Sequence, residues 1–165
     1  MRIIKLGIIS LIVFFLIITG FSLFIPSHVR VSKAIDITAS KDSVMNQLSD
    51  AANWKKWFPG GDTAVSIMID GKIKGIGTGG NTGLVITAVN DSAVLTGVIG
   101  SKSKSGKSGW NIFDGSRPNT ITVQWYMDFH LRWYPWEKLS SLLLEKRYGP
   151  MMEKGLDNLK KILEK

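Results

Sequence analysis

The sequence predicts an α+β domain: a strand, a helix, a run of antiparallel strands and a closing helix, carried behind one transmembrane helix. Three observations carry that prediction. Residues Leu6 to Ile25 contain no charge. Between Val29 and Trp133 most of the chain alternates apolar and polar side chains or falls into short runs bounded by glycine. From Met152 onward the apolar residues Met152, Leu156, Leu159 and Leu163 recur at helical spacing. Internal repeats and alternating strand–helix units are absent from the sequence, so a parallel sheet is not expected.

The N-terminal run, LGIISLIVFFLIITGFSLFI, spans roughly 30 Å as a helix, the thickness of a bilayer's hydrocarbon core. It is too long for the apolar region of a cleaved signal, and TGFSLFIPS offers no small-residue cleavage site. No face of it is polar, which argues against a core helix. Residues 1–27 are therefore expected to form a membrane anchor and residues 28–165 a folded domain. Arg2, Lys5 and the terminal amine lie before the run, and Arg30, Lys33 and Lys41 after it, so the charge rule is nearly balanced. The short basic tail favours a cytoplasmic N-terminus, with the C-terminal domain outside the cytoplasm. The absence of cysteine suits either side.

Residues 28–165 make one ordinary domain, and it keeps all six tryptophans. With 21 Lys+Arg against 13 Asp+Glu the chain carries +8, which on a tethered domain means attraction to anionic headgroups. The basic residues are scattered without a recognition motif, so no nucleic-acid partner is expected. Lys102, Lys104 and Lys107 in GSKSKSGKSG read as a solvated hairpin loop.

Within the domain, Val29, Val31, Ile35 and Ile37 mark a half-buried first strand. Ser40 supplies an N-cap and Asp42 suits the helix dipole, so a helical segment runs from Ser40 to Trp57 with Val44, Met45, Leu48 and Ala52 at helical spacing. Pro59-Gly60-Gly61 closes it. AVSIMID, GKIKGIG, GLVITAV, AVLTGVI and KSGWNIF then read as short strands, with hairpin turns at Asp70-Gly71 and Asn90-Asp91. The clearest strand is TITVQWYMDFHLRW. Ile121, Val123, Trp125, Met127, Phe129, Leu131 and Trp133 share one side, and Thr122, Gln124, Tyr126, Asp128, His130 and Arg132 share a face expected to meet water. Leu139, Leu142 and Leu143 form a short apolar face ahead of a break at Gly149-Pro150, and residues 150–164 form the closing helix.

VRVSKAIDITASKDSV leading into NWKKWFP, together with YGPMMEKGLDNLKKILEK, resembles membrane-anchored bacterial members of the START-like, helix-grip superfamily, also called SRPBCC. Polyketide cyclases and lipid-transfer domains belong to it. The resemblance covers roughly residues 28–165. It implies a curved antiparallel sheet wrapped around a long C-terminal helix, with an apolar cavity between them.

Little in the sequence demands catalysis. Gly75, Gly77 and Gly80 match a dinucleotide fingerprint, but a strand follows where a helix is required. Gly100 to Ser108 misses the phosphate-loop spacing by one residue. His28 and His130 have no metal-ligand spacing, so neither a metal nor a cofactor is expected. Asp128 and Arg132 could tune His130 as an acid or base, but it sits on the polar face. No catalytic residue is assigned. In the cavity that the resemblance implies, Trp54, Trp57, Phe58, Trp110, Trp125, Met127 and Phe129 are the candidate ligand-binding residues. Trp133, Tyr134 and Trp136 fit a cavity rim or an interface patch. The expected function is a membrane-tethered domain holding a lipid or other small hydrophobic molecule. A cyclase- or hydrolase-like enzyme in the same cavity, and a protein-interaction domain with a filled interior, remain the alternatives.

Overall fold

A computed structural model describes residues 2–79, 83–100 and 106–165 of the chain. Gly80, Lys102 and Lys104, singled out above, lie outside the described residues. The elements run α1 (Arg2–Leu23), β1 (His28–Ile37), α2 (Lys41–Ser49), α3 (Trp54–Trp57), β2 (Val65–Ile69), β3 (Lys72–Gly77), β4 (Gly83–Asn90), β5 (Ala93–Ile99), β6 (Gly106–Asp114), β7 (Ile121–His130), α4 (Pro135–Ser141) and α5 (Leu144–Leu163). The seven strands form one antiparallel sheet in the order β1-β7-β6-β5-β4-β3-β2. Only the β1–β7 pairing closes over a long stretch of chain; every other neighbour is a hairpin partner.

Local chemistry explains most boundaries. The Ser43 N–H donates to the Ser40 hydroxyl at 3.2 Å, capping α2 as expected. The helix does not continue to Trp57. The Asp50 carboxylate accepts the Ala52 N–H at 2.9 Å, and this local bond breaks the segment into α2 and α3. Ala51 rather than Ala52 is thereby turned into the core. Asp70 and Gly71 have φ of 53° and 73°, the pair of positive values that a type I′ hairpin needs. The β4–β5 hairpin turns one residue later than expected, because Asn90 pairs with Ala93 and leaves Asp91-Ser92 as the loop.

α5 crosses the concave face above β1 and β7, with Met152, Leu156 and Leu159 buried beneath it. Polar clamps fix its angle. The Lys33 ammonium reaches from β1 to Glu145 and Glu153 at 2.6 and 2.8 Å, and these two carboxylates raise its pKa. Further along, the Lys160 ammonium donates to the Asp36 carbonyl and the Thr38 N–H donates to the Glu164 carboxylate, both at 2.7 Å. These contacts carry α5 through Gly149-Pro150, where the sequence predicted a break. Pro150 sits inside the helix and forfeits one backbone bond. Packing around it outweighs that loss: Tyr148 stacks on Phe129 at 5.1 Å and Gly149 lies against the Lys33 side chain.

β7 stops at His130, so Leu131 and Trp133 leave the inner row, and Trp133 is exposed. The opposite face of β7 is drier than its sequence predicts. Tyr126 and Asp128 are buried, because Arg30 on β1 covers both.

Candidate functional site

Five of the seven candidate residues converge on one aromatic cluster. α3 presents Trp54 and Trp57, the following residue is Phe58, and β6 and β7 present Trp110 and Trp125 from directly paired positions. Ring centroids lie 5.2 Å apart for Trp54–Trp110, 5.6 Å for Trp57–Trp110, 5.4 Å for Trp110–Trp125 and 5.2 Å for Phe58–Trp125. The tilted and edge-on geometries are those that aromatic quadrupoles favour. All four indoles are fully buried, so they fill the space between sheet and helices at this point. The Trp54 N–H donates to the Leu48 carbonyl at 2.9 Å and the Trp125 N–H to the Ser108 hydroxyl at 3.2 Å. The Trp57 and Trp110 N–H groups are buried without a partner among the described residues. Met127 and Phe129 lie further along β7, half-buried, away from this cluster and towards Tyr148 of α5.

Beside the cluster the structure leaves open space. A cleft of about 290 Å³ is lined by Phe58, Pro59, Ala64, Ile76, Gly77 and Leu84, with Thr63 and Thr78 supplying hydroxyls. Of the seven candidates, only Phe58 lines it. Ile76 and Leu84 are paired partners on the inner face of β3 and β4, while α5 packs mainly on β1. Their small neighbours hint at the cleft in sequence: a Cβ on Gly83 would meet the Ile76 carbonyl at 2.7 Å, so only glycine permits that close approach. The strand register fixes where the cleft opens. His28 pairs with His130, Gly106 with Phe129, Gly97 with Lys107, Gly83 with Ile99 and Gly77 with Gly83. The cleft residues Gly77, Thr78 and Gly83 therefore lie at the same end of the sheet as His28, the first residue of β1 beyond α1. A larger hollow of about 560 Å³ sits at the other end of β1, but its lining of Ser40, Lys41, Asp114, Arg117, Asn119 and Thr120 is that of open polar loops.

The acid–base candidates form a separate group on the convex face. Arg30 donates to both Asp128 carboxylate oxygens, at 2.6 and 2.8 Å, a bidentate pair. The guanidinium holds the Asp128 carboxyl below its ordinary range, over the opposing push of burial. Arg30 also covers the Tyr126 ring at 4.6 Å, and burial raises the Tyr126 pKa. His28 and His130 stack at 4.7 Å, with the His28 Nε2 at 3.6 Å from Asp128. Asp128 is thus engaged by Arg30, on the face opposite the cleft. Among the described residues, no group of three His, Cys, Asp or Glu side chains is placed to hold a metal.

One contact had no sequence signal. Lys138 of α4 is 5 % exposed, and its ammonium donates to the Ile25 carbonyl at 2.6 Å. The cation closes the C-terminal end of α1. α1 is the one helix among the described residues long and apolar enough to cross a membrane.

Comparison with known proteins agrees with this architecture. A family model described as "Polyketide cyclase / dehydrase and lipid transport" matches residues 28–164. No curated protein sequence matches the chain. Among solved structures, a START superfamily protein from Mycobacterium smegmatis superposes with a TM-score of 0.55 at 14% identity, over 82% of this chain and 97% of its own. A protein from Nitrosospira multiformis gives 0.61 at 11% identity, over 82% and 96%. The di-domain ARO/CYC protein StfQ of the steffimycin biosynthetic pathway gives 0.62 at 11% identity, over 83% of this chain and 51% of that one. At these identities the superpositions establish the fold.

Proposed function

The chain belongs to the polyketide cyclase / dehydrase and lipid transport family, and we propose that its folded domain binds a small hydrophobic molecule of lipid type in the cleft between Phe58–Ala64 and β3–β4. The single observation that carries this reading is the cleft itself: about 290 Å³, walled by carbon, and open at the end of the sheet nearest α1. Its volume lies at the lower limit of ligand pockets, which suits one acyl chain or a compact ring system. The tryptophan cluster forms the rigid wall behind Phe58. We place the domain boundary at residues 27 and 28, with α1 as an uncleaved anchor, the N-terminus in the cytoplasm and the domain outside it. Tethering would keep the cleft beside the pool from which apolar ligands come.

The filled interior favours a second reading, a protein-interaction domain, because the four indoles are fully buried between the sheet and the helices. Titration separates the two. Full-length protein in nanodiscs should saturate with a fluorescent fatty acid at micromolar affinity, about −8 kcal/mol. Ala64→Phe, which fills the cleft, should weaken binding at least tenfold (about 1.4 kcal/mol) while the domain stays folded. Absence of saturable binding, or unchanged binding by Ala64→Phe, would move the assignment to the interaction reading. Spheroplast proteolysis tests the topology: full protection of the domain contradicts the orientation.

A further inference from the structure

The segment Arg132–Arg147 carries an apolar surface that nothing in the fold covers. Trp133 and Trp136 are 64 % and 60 % exposed, and Leu142 and Leu143 are 68 % and 63 % exposed. The Trp133, Tyr134 and Trp136 rings pack in series with centroids 4.9 Å apart at each step, the first pair tilted by 40° and the second stacked at 8°. Around these residues stand cations: Arg132 is exposed, and Lys146 and Arg147 join Leu143, Leu144 and Ser140 in a groove of about 440 Å³. Amphipathic rings, leucines and flanking Arg/Lys are the composition of an interfacial membrane element.

The position of α4 specifies the occupant. α4 packs on α1, and the α1 residues that lose exposure towards its end are Ile18, Thr19, Gly20 and Ser22, with Ile25 just beyond the helix. Lys138 locks the junction through the Ile25 carbonyl, and the Leu131 N–H donates to the Ser27 carbonyl at 2.7 Å. Ile18 to Leu23, the end of α1, covers about 8 Å of helix rise. If Leu6 to Ile25 fills the hydrocarbon core, α4 is held alongside the last third of that span, at the boundary where interfacial helices lie roughly 5–10 Å deep.

We propose that Arg132–Arg147 is a second membrane-binding element, seated in the headgroup–acyl boundary of the leaflet from which α1 emerges, with Lys146 and Arg147 facing anionic headgroups. It rests on the reading of α1 as a transmembrane helix. α1 alone would leave the domain free to swivel. With α4 docked in the bilayer and bolted to α1 by Lys138, the domain holds one orientation, and the cleft end of the sheet faces the lipid.

The chain has no cysteine, so single nitroxide labels report without background. Full-length Phe14→Cys, Leu142→Cys and Asp70→Cys variants are labelled and reconstituted in vesicles of phosphatidylcholine with phosphatidylglycerol, and their accessibility to oxygen and to a water-soluble nickel chelate is compared. The inference expects Phe14 deep in the bilayer, Leu142 at the boundary with an oxygen-to-nickel ratio several-fold above that of Asp70, and Asp70 aqueous. A deep Phe14 with a fully aqueous Leu142 overturns the inference and leaves the anchor intact. An aqueous Phe14 removes the anchor, and the inference with it. A Leu142 label shielded from both reagents and broadened by spin–spin coupling assigns the face to a second copy of the chain and also overturns it.

Discussion

The two halves of the sheet are built from the same kind of hairpin and treated differently by the rest of the chain. β1, β7 and β6 lie beneath α5 and the four tryptophans, and their inner residues Val31, Val123, Trp125 and Trp110 are 0–2 % exposed. β4, β3 and β2 lie away from the strands that α5 packs on. Ile76 and Val85 are buried there, but Val65, Met68, Ile73 and Val89 remain exposed, and the apolar cleft opens beside Gly77 and Gly83. A fold that buries one half and leaves the other more open separates stability from the binding proposed above. Mutations in the first half should unfold the domain. Mutations in the second should change what it holds.

The largest effect is expected at the centre of the covered half. Leu156→Asp places an unpaired carboxylate under α5 at a position 1 % exposed, at a cost of several kcal/mol against a total stability of the same order. Circular dichroism should show no cooperative melt; a melting temperature equal to wild type would mean that α5 does not pack where it is seen. Gly155→Ala is next. The added Cβ would lie 2.7 Å from the Trp125 ring and 3.0 Å from Pro59, so overpacking should cost about 1–3 kcal/mol. Chemical denaturation should show a lower midpoint with little change in slope.

The convex face contributes less, and its contribution depends on pH. In the folded state Arg30 lowers the Asp128 pKa. The pair therefore adds stability above the carboxyl's unfolded value, about 3.9, and loses it as pH falls through the lower folded value. Asp128→Asn should cost about 1–3 kcal/mol at neutral pH, and its stability should fall less steeply than wild type below about pH 4. Parallel acid slopes for the two proteins would show that the pair contributes nothing. The smallest effect belongs to the uncovered half: Met68→Ser, at a position 65 % exposed on the edge strand, should change stability by no more than about 0.5 kcal/mol. A loss above about 2 kcal/mol would reveal a cover over β2 and collapse the distinction between the halves.

What could be read from the sequence follows the range of the interactions. Period-two alternation located β1 and β7, runs bounded by glycine and turn residues located the five strands between them, and Ser40, Asp70-Gly71 and the Met152–Leu163 stripe acted through neighbours a few residues away. Two errors were local, the Asp50–Ala52 bond that splits α2 from α3 and the Asp91-Ser92 loop, and the others came from long-range partners. Asp128 reads as a surface residue until Arg30, 98 positions earlier, is placed beside it. Pro150 reads as a helix end until Lys33, Phe129 and the polar clamps hold α5 on β1. Lys138 carries no signal in the sequence, and its partner is a carbonyl 113 residues away. For the interior, residue type was informative and spacing was not. Large aromatics marked the interior, but whether an indole fills a cavity or lines it depends on the sum of volumes around it. Ala64, Ile76 and Leu84 carry no chemical mark of a binding wall.

Photolabelling tests the central claim most directly. A fatty acid bearing a diazirine, equilibrated with the full chain in nanodiscs and irradiated, marks the residues that its apolar carbon touches, and peptide mass spectrometry locates them. Saturable adducts should fall on Phe58–Ala64, Ile76–Thr78 and Leu84, be displaced by excess unlabelled fatty acid, and disappear in Ala64→Phe. Adducts confined to α1 and α4, or unaffected by Ala64→Phe, would contradict a ligand in the open half of the sheet.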